Sequence, residues 1–406
     1  MRRTPTRFAA VASALLFAQV GHADEVKAHR VRLGEALAAV GHAPAHRAGA
    51  ARVGAAREAV PAAGAWPATV LSVATARKTE RLGVVASLPL PMFGTIGASQ
   101  KLARAELDAA RRELGAGDLG AARDVTRAWI ELARVEEVAV LSGRGAAREE
   151  ELARITRTRQ QSGDASRAEV VAADAASRRA VARAAADRTA IAARSAELAA
   201  LIGRDPDLLL HAEGGLPAAA DVPPLAALRG RRAAHPDARA AAARAEVESA
   251  RVDEARASRW PALSLDLEAL YDDPTLPGND YRVGLTLELP IFGRGGARQK
   301  AAEASRKAAL AERARTMAAL DGELVAAYRR YQQARTLARD LDDNVLPAQR
   351  EAANLAREAY REGQGGLAAV LEADRTLAEA EAEAIGARAD AAIARADLEW
   401  AAGGAP

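Results

Sequence analysis

The sequence predicts a mainly α-helical protein with a β portion suited to a membrane barrel, built from one duplicated repeat. Three observations predict it. Two apolar/polar alternating runs, opened by Trp-Pro and closed by Pro-x-Phe-Gly, occur as a pair twice, at 66–93 and at 260–292. Long stretches rich in Ala, Arg and Glu, with apolar residues three and four apart, follow each pair. The chain also starts with the pattern of an export signal. Period-two alternation marks strands, and three-four spacing marks helices.

Residues 1–23 read as a secretory signal peptide. Arg2, Arg3 and Arg7 form its basic end, Phe8–Val20 its apolar centre, and Gly21-His22-Ala23 a small-x-small cleavage site. Removing three arginines from 57 Lys+Arg leaves 54, against 54 Asp+Glu. The mature chain is then formally neutral, and its charge implies no nucleic-acid partner. The sequence has no cysteine, which excludes disulfides, thiolate metal sites and a lipidated cysteine anchor. No later stretch has the apolar length of a spanning helix, so membrane entry requires strands.

The mature chain divides into a first repeat at 24–205, a connecting loop at 206–224 rich in Asp, Gly and Pro, and a second repeat at 225–402. Each repeat opens with a short helix, expected at His46–Ala63 and at Asp237–Ser258. A hairpin follows. In the first repeat its strands are expected at Thr69–Thr75 and Leu82–Leu90. In the second they are expected at Ala262–Tyr271 and Tyr281–Leu289. One face of the second hairpin carries Leu263, Leu265, Leu267, Tyr271, Tyr281, Val283, Leu285, Leu287 and Leu289. The other face carries Ser264, Asp266, Glu268, Arg282, Thr286 and Glu288. A soluble hairpin and a membrane barrel with a wet lumen both fit this pattern; in the barrel Asp266, Glu268, Arg282 and Glu288 line the lumen. The scarce aromatics collect at the strand ends: Trp66, Phe93, Trp260 and Phe292 at one end, Tyr271 and Tyr281 at the other. This is the placement of an interfacial girdle.

A long helical region comes next, expected at Gly97–Gln161 and Gly296–Glu362, about 100 Å of helix in each repeat. Its core stripe in the second repeat is Leu320, Leu324, Tyr328, Tyr331, Ala334, Leu337, Leu341 and Val345; in the first it includes Val125, Trp129 and Leu132. Gly115, Gly117 and Gly120 weaken the first long helix, and Pro347 kinks the second. A glycine turn leads to a return helix, expected at Ser166–Ile202 and Leu367–Trp400. Short and return helices together match the long helix in length, so stacked end to end they pair with all of it. Trp129 and Tyr328, Gly163 and Gly363, Val170 and Val370, and Asp174 and Asp374 correspond at a spacing near two hundred residues.

No catalytic constellation emerges, and no cofactor is implied. His42 and His46 have the spacing of a helical metal pair, but Pro44 between them disfavours that geometry. Gly293-Arg294-Gly295-Gly296 lacks the Lys-Ser/Thr of a phosphate loop and reads as a strand-to-helix turn.

The order of these parts resembles the TolC-type outer membrane efflux protein family. The Trp-Pro and Pro-x-Phe-Gly brackets carry the resemblance, together with Ala359-Tyr360-Arg361-Glu362-Gly363 before Val370-Leu371-Glu372-Ala373-Asp374. The resemblance spans the mature chain and implies a homotrimer. Four strands per protomer would complete a shared twelve-stranded barrel in outer-membrane lipid, above a periplasmic helical tunnel. It further implies a periplasmic adaptor protein docking at the tips around Gly163, Gly363 and Gln364, and an inner-membrane pump. A periplasmic gate of carboxylates would involve Glu372, Asp374, Glu169 and Asp174, with Ala369 standing where relatives carry an acid. The compact loops resemble those of the heavy-metal efflux branch. The competing class is a soluble periplasmic coiled-coil scaffold whose hairpins cap helix bundles.

Overall fold

A computed structural model describes residues 29–75, 82–271, 279–288 and 294–404. The signal-like segment, the 76–81 turn and Phe292 lie outside them. In chain order the elements are β1 (His29–Val31), α1 (Leu33–Ala39), α2 (Pro44–Gly64), β2 (Val70–Ala74), β3 (Leu82–Leu90), α3 (Thr95–Gln161) and α4 (Arg167–Ile202). Then come β4 (Leu210–Ala212), α5 (Leu225–Arg229), α6 (Pro236–Ala257), β5 (Ala262–Tyr271), β6 (Asp280–Glu288) and α7 (Arg294–Asp340). A π-helical turn at Leu341–Val345, α8 (Leu346–Arg361) and α9 (Leu367–Ala401) complete the fold.

The long helix α3 runs unbroken for 67 residues. Its three central glycines do not interrupt it. A glycine costs a helix about 1 kcal/mol, and packing against α2, α6 and α4 along the whole length outweighs that. In the second repeat Pro347 does break the regular helix. Its ring nitrogen has no hydrogen for the Asp343 carbonyl, and the chain re-registers through the π turn just before it. The core stripe also differs at one position. Ala338 is buried and Leu337 is half exposed, because the phase set by Tyr331 and Ala334 reaches 338 and 341.

Short and return helices do stack end to end along the long helix. The seam between α4 and α2 is tight: a Cβ on Gly203, at φ +72°, would sit 3.0 Å from Pro44 Cδ. The second repeat repeats the device. Gly403, at φ +79°, ends α9 against His235, which caps α6. A side chain at either glycine would push the stacked helices apart.

The connecting segment is more than a loop. Within it β4 pairs in parallel with β1, burying Leu210 and Val31 completely. Trp129 of α3 donates its indole N–H to the Val31 carbonyl at 2.8 Å. This small belt and the core around Val125, Trp129, Ile130 and Leu132 fix the middle of the long helix. Three-residue strands are too short to show a period, so the sequence did not reveal them.

Candidate functional site: strand sheet and helical tip

The four longer strands form one antiparallel sheet in the order β2-β3-β5-β6. The two hairpins therefore join side by side through β3 and β5, with Leu88 opposite Leu265 and Ser87 opposite Asp266. In the second hairpin Leu263, Leu265, Leu267 and Ala269 face Leu287, Leu285, Val283 and Tyr281. This is the expected facing, although β6 begins one residue earlier than expected and is described as far as Glu288. The apolar face is bare: Leu71, Val73, Val283 and Leu285 are each more than 60% exposed. Large aliphatic side chains in a row on one sheet face are what lipid, not water, covers.

The opposite face is polar and internally bonded. Thr286 donates its hydroxyl to Asp266, while Arg282 lies 3.9 Å from Glu268 and 2.9 Å from Asp280. Glu288 is exposed at the end of β6. Aromatics mark both rims. Phe93 stacks on Trp260 at 5.1 Å, with Trp66 exposed nearby in sequence at the start of the first hairpin, and Tyr271 meets Tyr281 edge-on at 6.4 Å. Phe93 takes φ +59°, a left-handed conformation that costs a bulky residue energy and is retained here with the stacking.

At the far end the two repeats make the same turn. After α3, Gly163 donates to Gln160 and Asp164 to Arg159; after α8, Gly363 donates to Tyr360 and Gln364 to Ala359. Both are helix ends closed by a left-handed glycine, at φ +90° and +78°. Both turns are exposed, with Gln364 at the apex.

The four expected gate carboxylates separate into different roles. Glu169 caps α4: it accepts from the Ser166 backbone N–H at 2.7 Å while the Ser166 hydroxyl accepts from its own N–H. That bond holds Glu169 below the usual carboxylate range. Asp174 pairs with Arg157 at 3.0 Å, and buried Asp374 pairs with Arg357, the same pair one repeat later. These three carboxylates are thus committed within the chain. Only Glu372 of the four is exposed, and its Arg375 partner at 2.7 Å lowers its pKa.

A further group at the tip was not legible in sequence. Tyr360 is buried, its hydroxyl 3.1 Å from Thr156 Oγ1. The Arg159 guanidinium lies 4.5 Å from the Tyr360 ring centroid and donates to the Tyr360 carbonyl. These contacts join the end of α3 to the end of α8, so they tie one helical hairpin to the other. Tyr360 falls inside a motif noted for its order alone; its partners are two hundred residues away. The weighed histidine pair takes another role, with His46 bonded to Asp118 at 2.9 Å.

A lipid-ready sheet carried on stacked helices of about 100 Å is the protomer architecture of solved outer membrane channels. The fold matches the outer membrane protein VceC from Vibrio cholerae with a TM-score of 0.74 at 20% identity, covering 92% of this chain and 96% of that one. It matches CusC, solved in studies of folding and transmembrane channel formation, with a TM-score of 0.78 at 16% identity, covering 92% of each chain. The CmeC outer membrane channel from Campylobacter jejuni gives 0.77 at 15% identity, covering 92% and 86%. In sequence, residues 229–404, most of the second repeat, match the family model described as Outer membrane efflux protein. A comparison with curated proteins gives no match.

Proposed function

We propose that the protein is the outer-membrane channel of a tripartite efflux system, a passive conduit for small solutes such as metal ions or drugs. Three copies close a twelve-stranded barrel in outer-membrane lipid and extend a helical tunnel into the periplasm. A periplasmic adaptor engages the tips at Gly163, Gly363 and Gln364, and an inner-membrane pump supplies the energy. The observation that carries this reading is the bare apolar face of the sheet, from Leu71 to Leu287, set at one end of long paired helices. A soluble scaffold would fold that face over its own helices. Asp266, Glu268 and Arg282 give the opposite face the polarity of a wet lumen. In the closed state Glu372 forms a carboxylate ring near the tip, and the Tyr360–Thr156 contact holds the two helical hairpins together.

The test is twofold. Membrane fractionation and mass measurement should find a trimer extracted with outer membranes. A deletion strain should become sensitive to a subset of a metal and drug panel. A soluble monomer in the periplasm would overturn the proposal.

A further inference from the structure

The helices near the tip form a row in the order α4, α3, α9, α8, since α4 packs on α3, α3 on α9, and α9 on α8. The ends of the row are the free sides of α4 and α8. On α4 the outer stripe includes Arg167, Val171, Arg178 and Val181, at steps of four, seven and three residues, all exposed. On α8 it includes Glu351, Leu355, Glu358 and Glu362, at steps of four, three and four, also all exposed. Val171 and Leu355 are 61% and 58% exposed, large apolar side chains among charges. Among the described residues, none of Arg167, Arg178, Glu351, Glu358 or Glu362 has an ion-pair partner in the chain, whereas Arg154, Arg157, Arg357 and Arg375 do.

The two stripes are opposite in sign and close in height. The equivalent tip turns at Gly163 and Gly363 give a common origin. Val171 lies four residues beyond the first residue of α4 and Leu355 six residues before the last of α8, so they stand about 6 and 9 Å from the tip turn. Arg167 lies within about a turn of Glu358, and Arg178 and Glu351 differ in height by about 1.5 Å. One stripe runs away from the tip and the other towards it, as an antiparallel pair requires.

We infer that the free side of α4 is the docking surface for the free side of α8 on a second copy of this chain, in a head-to-tail contact that sets Val171 against Leu355. This rests on the trimer reading and adds the register of its tip. A head-to-tail contact uses two different surfaces, so repeating it through a threefold rotation closes a ring. The Arg–Glu pairs flanking the apolar pair set the register and reject a slip of one turn, which would bring Val171 to Glu351 or Glu358.

The chain has no cysteine, so cross-linking reads the contact directly. The full-length double variant Val171→Cys/Leu355→Cys, oxidised in membranes, should run as a covalent trimer that reduction returns to monomer. Val171→Cys alone and Leu355→Cys alone should stay monomeric, and co-expressing the two should give a covalent dimer. Val171→Cys with Leu337→Cys, about 27 Å out of register, should not cross-link. A covalent dimer from Val171→Cys alone would mean a symmetric contact and overturn the inference. So would a trimer by native mass with no 171–355 disulfide, and in that case the trimer reading would survive. A monomer by native mass would remove both. As a second measurement, Arg178→Glu should lower the trimer's thermal dissociation temperature and Arg178→Glu/Glu351→Arg should restore it. Restoration failing beside an intact single variant would also overturn the register.

Discussion

Leu285 tests the facing of the sheet most sharply. It is the sixth of nine residues in β6, a strand of about 30 Å. Tilted as barrel strands are, such a strand crosses an apolar band of about 25 Å and places Leu285 near its centre. Leu285 pairs with Leu265 on the bare face and is 67% exposed in the protomer. An arginine there costs about 2–4 kcal/mol per copy, or about 6–12 kcal/mol over three copies. Leu285→Arg should therefore abolish the folded trimer, read as loss of heat-resistant, protease-resistant protein in outer membranes. The neighbouring Thr286 bonds to Asp266 on the polar face, so Thr286→Arg should assemble, as should Glu268→Gln. If Leu285→Arg assembles normally and Thr286→Arg does not, the facing is inverted and the membrane reading of the sheet fails.

Four further outcomes follow from the tip. Glu372→Gln should reduce the cation selectivity of the isolated channel, measured as reversal potential in a salt gradient, more than Glu268→Gln does, because the proposed gate would gather three copies of this exposed carboxylate near one axis. Tyr360→Phe removes one buried hydrogen bond worth about 1 kcal/mol, so single-channel recordings should show the open state about fivefold more populated. Half-buried Glu149 is raised above the usual glutamate range by burial and then by Asp374. A raised pKa in the folded state means stability that is present at low pH and lost as pH rises through that raised value. Glu149→Gln should accordingly raise thermal stability at neutral pH, with the gain shrinking as pH falls towards the ordinary glutamate value of 4.5. Photocrosslinkers at Ser162 and Gln364 should capture the adaptor in cells, and capture from the 274–279 loop alone would reverse the orientation.

Sequence by itself determined the repeat, the strand facing and the helix pairing. Each of these is a periodic pattern in one chain: alternation for a sheet with two solvents, three-four spacing for a coiled seam, and recurrence near two hundred residues for duplication. Such patterns survive without knowing what touches what. Even so, packing outweighs local preference in places, as at Gly115, Gly117 and Gly120 inside an unbroken helix. Only the tertiary structure decided the belt between β1 and β4, the Tyr360 contacts and the roles of the acidic residues. Three-residue strands carry no period, and a carboxylate's role depends on the group facing it. Glu169 meets a helix N-terminus, Asp374 meets Arg357, and Glu372 meets water and Arg375. In sequence these are three acids on alanine-rich helices; the partner's distance, set by how the helices stack, makes one a cap, one a buried ion pair and one an exposed charge.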